Sequence, residues 1–223
     1  MSINLDNFKG FILEPHDNSP EANKLIYYCI INDFKFIKSK EYDKNYIPLG
    51  SIEFIENILG FSPVPNYYPD WLKHKLYRNV FQSNEWILGK KYFVKPADKH
   101  KRFNGFITKG TYSKKKKPPF WYSDIIHFEN EFRYYILNGK NLGGFWYNGI
   151  NTEQELIVPN LDFKIPETFT GTIDMGLVKN ELVLVECHPP YSCGWYGTYE
   201  NFEIYLKWII NGWKYLLNTY NIK

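Results

Sequence analysis

Cysteine is scarce, with 3 in 223 residues. Cys29, Cys187 and Cys193 are odd in number and show no CxxC spacing, which excludes a disulfide framework and a zinc knuckle and leaves buried, idle thiols. No apolar run approaches the roughly 20 residues that a membrane helix needs. The opening MSINLDNFKG has neither the basic nor the apolar region of a signal peptide. The expectation is a soluble, cytoplasmic protein with no membrane partner. A charge surplus is also missing, because a formal net charge of +3 is too small to point to nucleic acid. No internal repeat, low-complexity tract or linker divides the chain, so one compact unit is expected.

What the chain does have is aromatic and apolar material. Hydrophobic residues make up 44% and aromatics 19%, a composition that folds around a core. GFILEP reads as a strand. NSPEANKLIYYCIIND opens a helix with Ser19 as N-cap and Pro20 at the first helical position, and FKFIKS reads as a second strand. This order predicts a small α/β layer at the front. GSIEFIENILG predicts a short helix capped by Ser51, with Ile52, Ile55 and Leu59 on one face and Gly60 as its stop. YPDWLKHKLYRNVFQ predicts another, with Asp70 as cap.

From residue 92 the pattern alternates. YFVKPA, GFITKG, IIHFENEFRYYIL, NLGGFWYNG, TIDMGLV and ELVLVECH read as strands of an antiparallel sheet, with Asn138-Gly139 as a hairpin turn. In the tail, Phe202, Tyr205, Ile209, Leu216 and Tyr220 recur at helical spacing and predict a helix packed on that sheet. The fold class is therefore α/β (α+β). An N-terminal α/β and helical subdomain spans 1–90, and a second subdomain at 91–223 carries the sheet and C-terminal helix, with a cleft between them.

The stretch GTIDMGLVKNELVLVECHPP, residues 171–190, is two strands folded back on each other. A turn centred on Asn180 puts Asp174 directly opposite Glu186, their Cβ atoms about 4.5–5.5 Å apart, with His188 just beyond. Apolar residues on both faces of ELVLVE predict a buried strand, where an unpartnered carboxylate is costly. Mg²⁺, which takes oxygen ligands at about 2.0–2.1 Å, is one neutraliser; edge salt bridges and solvated strand ends are the alternatives. A shift of one residue would separate the two acids.

Cations form a second set. YFVKPADKHKRFNGF carries Lys95 on a strand, then Lys99, Lys101 and Arg102 in a loop, which reads either as a phosphate cradle or as a solvated hairpin tip. In FENEFRYYIL, period two puts Glu129, Glu131 and Arg133 on one side. Arg133 suits a phosphoryl group, with Glu131 orienting it; a plain cross-strand salt bridge is the alternative. Lys114 to Lys117 read as a solvated loop or as a docking site for an acidic partner or nucleic acid. His16, His74, His100 and His127 are scattered and carry no assigned chemistry.

In this order, FVKP (93–96), KRFNG (101–105), WYSDIIHFENEFRYYIL (121–137) and IDMGLVKNELVLVECHPPYSCGWYG (173–197) resemble the ATP-grasp superfamily, in particular its compact phage and bacterial members. The resemblance covers roughly residues 46 to 200. It implies a nucleotide cleft in which Lys95 contacts phosphates and base, Lys101 lies in the phosphate-covering loop, and the backbone of Ser123, Asp124 and Ile125 receives adenine. It likewise implies Arg133 facing the triphosphate with Glu131 as partner, and Asp174 and Glu186 as Mg²⁺ ligands.

The implied activity is ATP-dependent ligation of a carboxylate to an amine through an acylphosphate, the substrate being a peptide, a protein or a small amino compound. A phage-encoded member would act in the host cytoplasm. The alternative is a degenerate binding module that docks through the lysine-rich loop. Two positions depart from the family pattern. His188 stands where an Asn usually follows the metal-binding Glu, so it is a metal ligand candidate that would favour Mn²⁺. Tyr147 stands where many such ligases carry a second arginine.

Overall fold

The computed structural model describes residues 3, 5, 7–109, 116–149 and 157–222. Its front layer is a parallel sheet in the order β2-β1-β3, made of β1 (Gly10–Leu13), β2 (Lys35–Lys38) and β3 (Tyr46–Leu49). Phe11, Ile12 and Leu13 of the central strand are fully buried. Between β1 and β2 runs α1 (Pro20–Ile31), where Ser19 Oγ accepts from the Ala22 N–H at 3.2 Å. The next helix, α2 (Ile52–Leu59), begins at Ser51, whose Oγ accepts from the Phe54 N–H at 3.1 Å. It stops at Gly60, which turns left-handed at φ 78°. Both predicted caps are present. Strand β3 is one that propensity hides: its Pro48 has no N–H to give, which an edge strand tolerates.

YPDWLKHKLYRNVFQ is not one helix. Asp70–Lys75 forms a short 3₁₀ helix in which Asp70 is the first residue, its carboxylate 2.6 Å from Lys73 Nζ instead of capping. The chain is extended by Leu76 and becomes β4 (Val80–Ser83), because pairing with β7 (Phe120–Ser123) satisfies its backbone from Val80↔Ser123 to Ser83↔Phe120.

The expected single antiparallel sheet is two. The first has the order β4-β7-β5-β6, with β5 (Phe93–Pro96) and β6 (Phe106–Ile107). The second has the order β11-β10-β8-β9, built from β8 (Asn130–Leu137), β9 (Lys140–Gly149), β10 (Gly171–Val178) and β11 (Glu181–His188). Asn138 and Gly139 turn β8 into β9 with φ of 48° and 72°, the left-handed pair that a tight hairpin requires.

Strand β8 is buried on both faces. Phe132, Tyr134 and Ile136 join a core with Ile173, Met175, Leu184 and Cys187, while Tyr135 enters a second core with α1, α2 and the front sheet. That second core also holds α3 (Phe202–Thr219), which buries Phe202, Tyr205, Ile209 and Leu216 as the spacing predicts and packs on β3, β8 and β9. Tyr220 lies beyond the helix and is exposed. The front core thus draws on both sides of position 90. Cys29, Cys187 and Cys193 are free and buried.

Candidate functional site

The hairpin β10–β11 builds the centre of the site. Lys179 and Asn180 form its two-residue turn, with φ of 51° and 64°, and the pairs run Val178↔Glu181, Leu177↔Leu182, Gly176↔Val183 and Met175↔Leu184. Continued without a break, that register would oppose Asp174 to Val185 and send Glu186 to the other face. A β-bulge intervenes between Asp174 and Met175, taking up Val185 as an extra residue, so that Asp174 pairs with Glu186 and Thr172 with His188. Glu186 and His188 share a face by period two. One ligand atom from each of Asp174, Glu186 and His188 lies within 4.8 Å of the other two.

Each acid also faces a cation. Arg133 is the cross-strand neighbour of Asp174 and donates twice, from Nε to Oδ1 at 2.8 Å and from Nη2 to Oδ2 at 2.7 Å. Glu186 accepts a short hydrogen bond from Lys95 Nζ on β5. His188 Nε2 sits 3.3 Å from Glu186 Oε1 and 3.6 Å from Asp174 Oδ2. Burial opposes ionisation of Asp174, but the Arg133 charge and hydrogen bonds, with His188, outweigh it and hold its carboxyl below the usual range. Burial likewise opposes charge on Glu186, and Lys95 with His188 overcomes it, leaving the group well below its ordinary pKa. For His188 burial favours the neutral ring, and the two carboxylates reverse that, raising its pKa.

Arg133 finds its acid in Asp174 and not in Glu131. Glu131 accepts instead from the Tyr147 hydroxyl at 2.8 Å and from Asn148 Nδ2. The Arg133 guanidinium lies 5.6 Å from the Tyr147 ring and 5.3 Å from the Tyr196 ring, and those rings stack at 5.0 Å. Glu131 therefore acts on Arg133 at one remove, through Tyr147.

The hinge is partly engaged. Ser123 ends β7, the Asp124 N–H donates to the Asn79 carbonyl at 3.0 Å, and the Asp124 carboxylate accepts from Lys90 and Asn79. Ile125 is 46% exposed.

Two residues that sequence reasoning passed over belong here. His100 is 4% exposed, its ring 5.5 Å from that of His188 and its Nδ1 3.5 Å from the Tyr67 hydroxyl. Burial, with the His188 charge adding, pushes its pKa down to about 3. Its place between Lys99 and Lys101 in the basic loop was the available signal. Arg78 is the second: Nη1 donates to Leu184 O at 2.7 Å, Nη2 to Val185 O at 2.9 Å, and Nε to Ser123 Oγ at 2.7 Å. The signal was rarity, since arginine occurs only 3 times against 24 lysines and its fork is not interchangeable with lysine.

A cavity of about 160 Å³ is lined by Arg133, Glu186, His188, His100, Lys101 and Tyr196. Through His100, Lys101, Ser192, Cys193 and Gly194 it borders a cleft of about 1130 Å³ that reaches the front layer at Glu14, Glu21, Glu53 and Glu56. Lys101, at φ 47°, faces both spaces. Lys99 reaches across the cleft, its Nζ 3.3 Å from Glu56 Oε2. Of the lysine run, Lys114 and Lys115 lie outside the described residues, while Lys116 places its ammonium 3.6 Å from the Phe106 ring centroid. Two carboxylates and an imidazole on one face make a donor set that fits a divalent cation.

Residues 76–204 match a family model of the ATP-grasp domain, the second family of its clade. No curated protein matches the chain. Among solved structures, D-alanine–D-alanine ligase from Bacillus anthracis is 12% identical, with 95% of this chain and 98% of that one covered at a TM-score of 0.49. The same ligase complexed with ATP is 13% identical over the same shares, at a TM-score of 0.44. The matched span takes in Arg78, both antiparallel sheets and the Asp174, Glu186 and His188 cluster, and by that match the chain belongs to the ATP-grasp superfamily.

Proposed function

We propose that this protein is an ATP- and divalent-metal-dependent carboxylate–amine ligase. The observation that carries the reading is the convergence of Asp174, Glu186 and His188 within 4.8 Å, flanked by Lys95 and Arg133 and bordering a cavity continuous in its lining with a large cleft. In the proposed reaction a substrate carboxylate oxygen attacks the γ-phosphorus of ATP, the bond to the bridging oxygen breaks, and ADP leaves. The amine nitrogen then attacks the acyl carbon of the acylphosphate, inorganic phosphate departs, and the amine gives up its proton.

Little covalent chemistry falls to the protein, which positions groups and neutralises charge. Asp174, Glu186 and His188 would hold the metal ion, which supplies charge neutralisation at the phosphates when bound. Lys95 and Arg133, each already beside a carboxylate, offer the positive charge for the transferred phosphoryl group, and Lys101 adds a cation from the loop. The backbone at Ser123 and Ile125 is the adenine hinge in this reading. The cleft beyond Lys101 receives the substrates, and its volume suits a peptide or protein end better than one small amino acid. Docking through the lysine run gains no support: Lys116 packs on Phe106 and Phe103, and Lys117 O accepts from Arg102 at 2.7 Å.

The test is thermal. ATP with Mg²⁺ or Mn²⁺ should raise the melting temperature of the wild type, and Asp174→Asn combined with Glu186→Gln should remove most of that shift. No shift with either metal at millimolar ATP would overturn the proposal.

A further inference from the structure

We propose that His188 sets the metal preference of this site, favouring Mn²⁺ over Mg²⁺ by supplying a nitrogen ligand beside two carboxylates. The inference rests on the ligase reading above and specifies the ion it uses.

The placement of the ring is the first support. His188 Nε2 lies nearly equidistant from Glu186 Oε1 and Asp174 Oδ2, at 3.3 and 3.6 Å, so one ion bound by both acids would meet that nitrogen. The ring is also held. Tyr67 meets it edge-on at 5.9 Å and 84°, and His100 lies 5.5 Å away at 34°. The Tyr67 carbonyl accepts from the Cys187 N–H at 2.9 Å, which ties the strand under His188 to the residue that packs on its ring. A ligand held this way need not be ordered when an ion binds.

Ligand chemistry is the second support. Mg²⁺ is a hard ion that takes oxygen at near-ideal octahedral positions and gives up water reluctantly. Imidazole suits the divalent transition ions, which accept nitrogen and oxygen together. Mn²⁺ tolerates carboxylates as readily as Mg²⁺ does and gains from the third donor. A side-chain amide oxygen in place of the imidazole would remove that advantage. The competing reading makes His188 a cationic bridge between two acids, with no part in metal choice.

The two readings separate by experiment. Mn²⁺ and Mg²⁺ affinities in the presence of ATP would be measured by calorimetry for the wild type, His188→Asn and His188→Gln, with pulsed EPR of the Mn²⁺ complex. The Mn²⁺-to-Mg²⁺ preference is expected to fall by roughly tenfold or more in both variants, the scale of effect that even a ligand's supporting partner exerts. A directly coordinated ¹⁴N signal should be present in the wild type and lost in the variants. Comparing ratios between variants cancels the preference that ATP itself carries. An unchanged ratio, or no nitrogen coupling in the wild type, overturns the inference while Mg²⁺-dependent ATP binding leaves the ligase reading standing. Absence of ATP binding with either ion removes both.

Discussion

Replacing Arg78 by Met should damage the metal site more than it damages the fold. Strand β11 is an edge strand, and its outward groups need partners. The Cys187 N–H has the Tyr67 carbonyl, and the Leu184 and Val185 carbonyls have the Arg78 fork at 2.7 and 2.9 Å. Those two carbonyls flank the extra residue that brings Glu186 opposite Asp174. Met retains an apolar stem against Tyr68 and Phe128, over which the guanidinium sits at 5.7 and 5.4 Å. It removes three hydrogen bonds from a charged donor, including the one to Ser123 Oγ.

Such bonds contribute about 1.5–3 kcal/mol each. Arg78 is only half-buried, and water can replace part of the loss, so the expected destabilisation is about 2–4 kcal/mol, read from urea unfolding. The functional consequence runs through register: with the bulge unpinned, the two-residue turn favours Asp174 opposite Val185, which turns Glu186 away from the site. Mn²⁺ affinity should drop about tenfold or more, measured by calorimetry below the unfolding range. Arg78→Lys should recover little, since a single ammonium cannot reach both carbonyls as a planar fork does. A stability loss with unchanged Mn²⁺ and ATP affinity would refute the link between Arg78 and the paired acids.

Asp174→Asn should destabilise the protein by about 3–5 kcal/mol, because it leaves the Arg133 charge buried without its acid; the double change Asp174→Leu with Arg133→Met should cost less than the single one, which urea unfolding of both would show. Acid titration isolates His100. Its folded pKa, about 3, lies below the unfolded value of about 6.5, so on acidification the unfolded chain takes up this proton first and stability falls. Asp174 and Glu186, with lowered folded pKa values, contribute stability that is present above about pH 4 and lost only below it. The raised His188 contributes stability that is complete below its unfolded value and lost as pH rises through the folded one. Between about pH 6.5 and 5 the His100 contribution therefore stands apart, at about 2 kcal/mol lost; His100→Gln should flatten that slope, and an equal slope in the variant would contradict it.

Much of the architecture was legible because its causes are local. Ser19 and Ser51 cap from one turn away, Gly60 turns left-handed where its helix stops, and Asn138-Gly139 folds a hairpin on its own two residues. The signals of Phe202, Tyr205, Ile209 and Leu216 sit within one helix. β4 and β7 were invisible for the opposite reason: each is four residues long, and what makes them strands is the other, some 40 positions away in sequence. The helical reading of residues 69–82 failed at the same point, since local propensity carries no weight against a paired edge.

The site shows the same divide more sharply. Sequence proximity gave Arg133 the acid two positions before it, whereas the sheet puts Asp174 directly across from it, 41 positions on. Asp174 and Glu186 were matched by an expected turn centred on Asn180, and they do pair, but through a tighter turn at Lys179 and Asn180 followed by one extra residue. Two offsets of one residue cancel, so a right pairing came from an incomplete geometry. The extra residue could not have been read locally, because the groups that hold it, Arg78 and the Tyr67 carbonyl, come from a segment more than 100 positions upstream. A bulge is costly where its carbonyls go unanswered and stable where a donor is aimed at them. The donors here stand outside the hairpin, so the spacing of Asp174 and Glu186 depends on residues in the middle of the chain as much as on the turn that joins their strands.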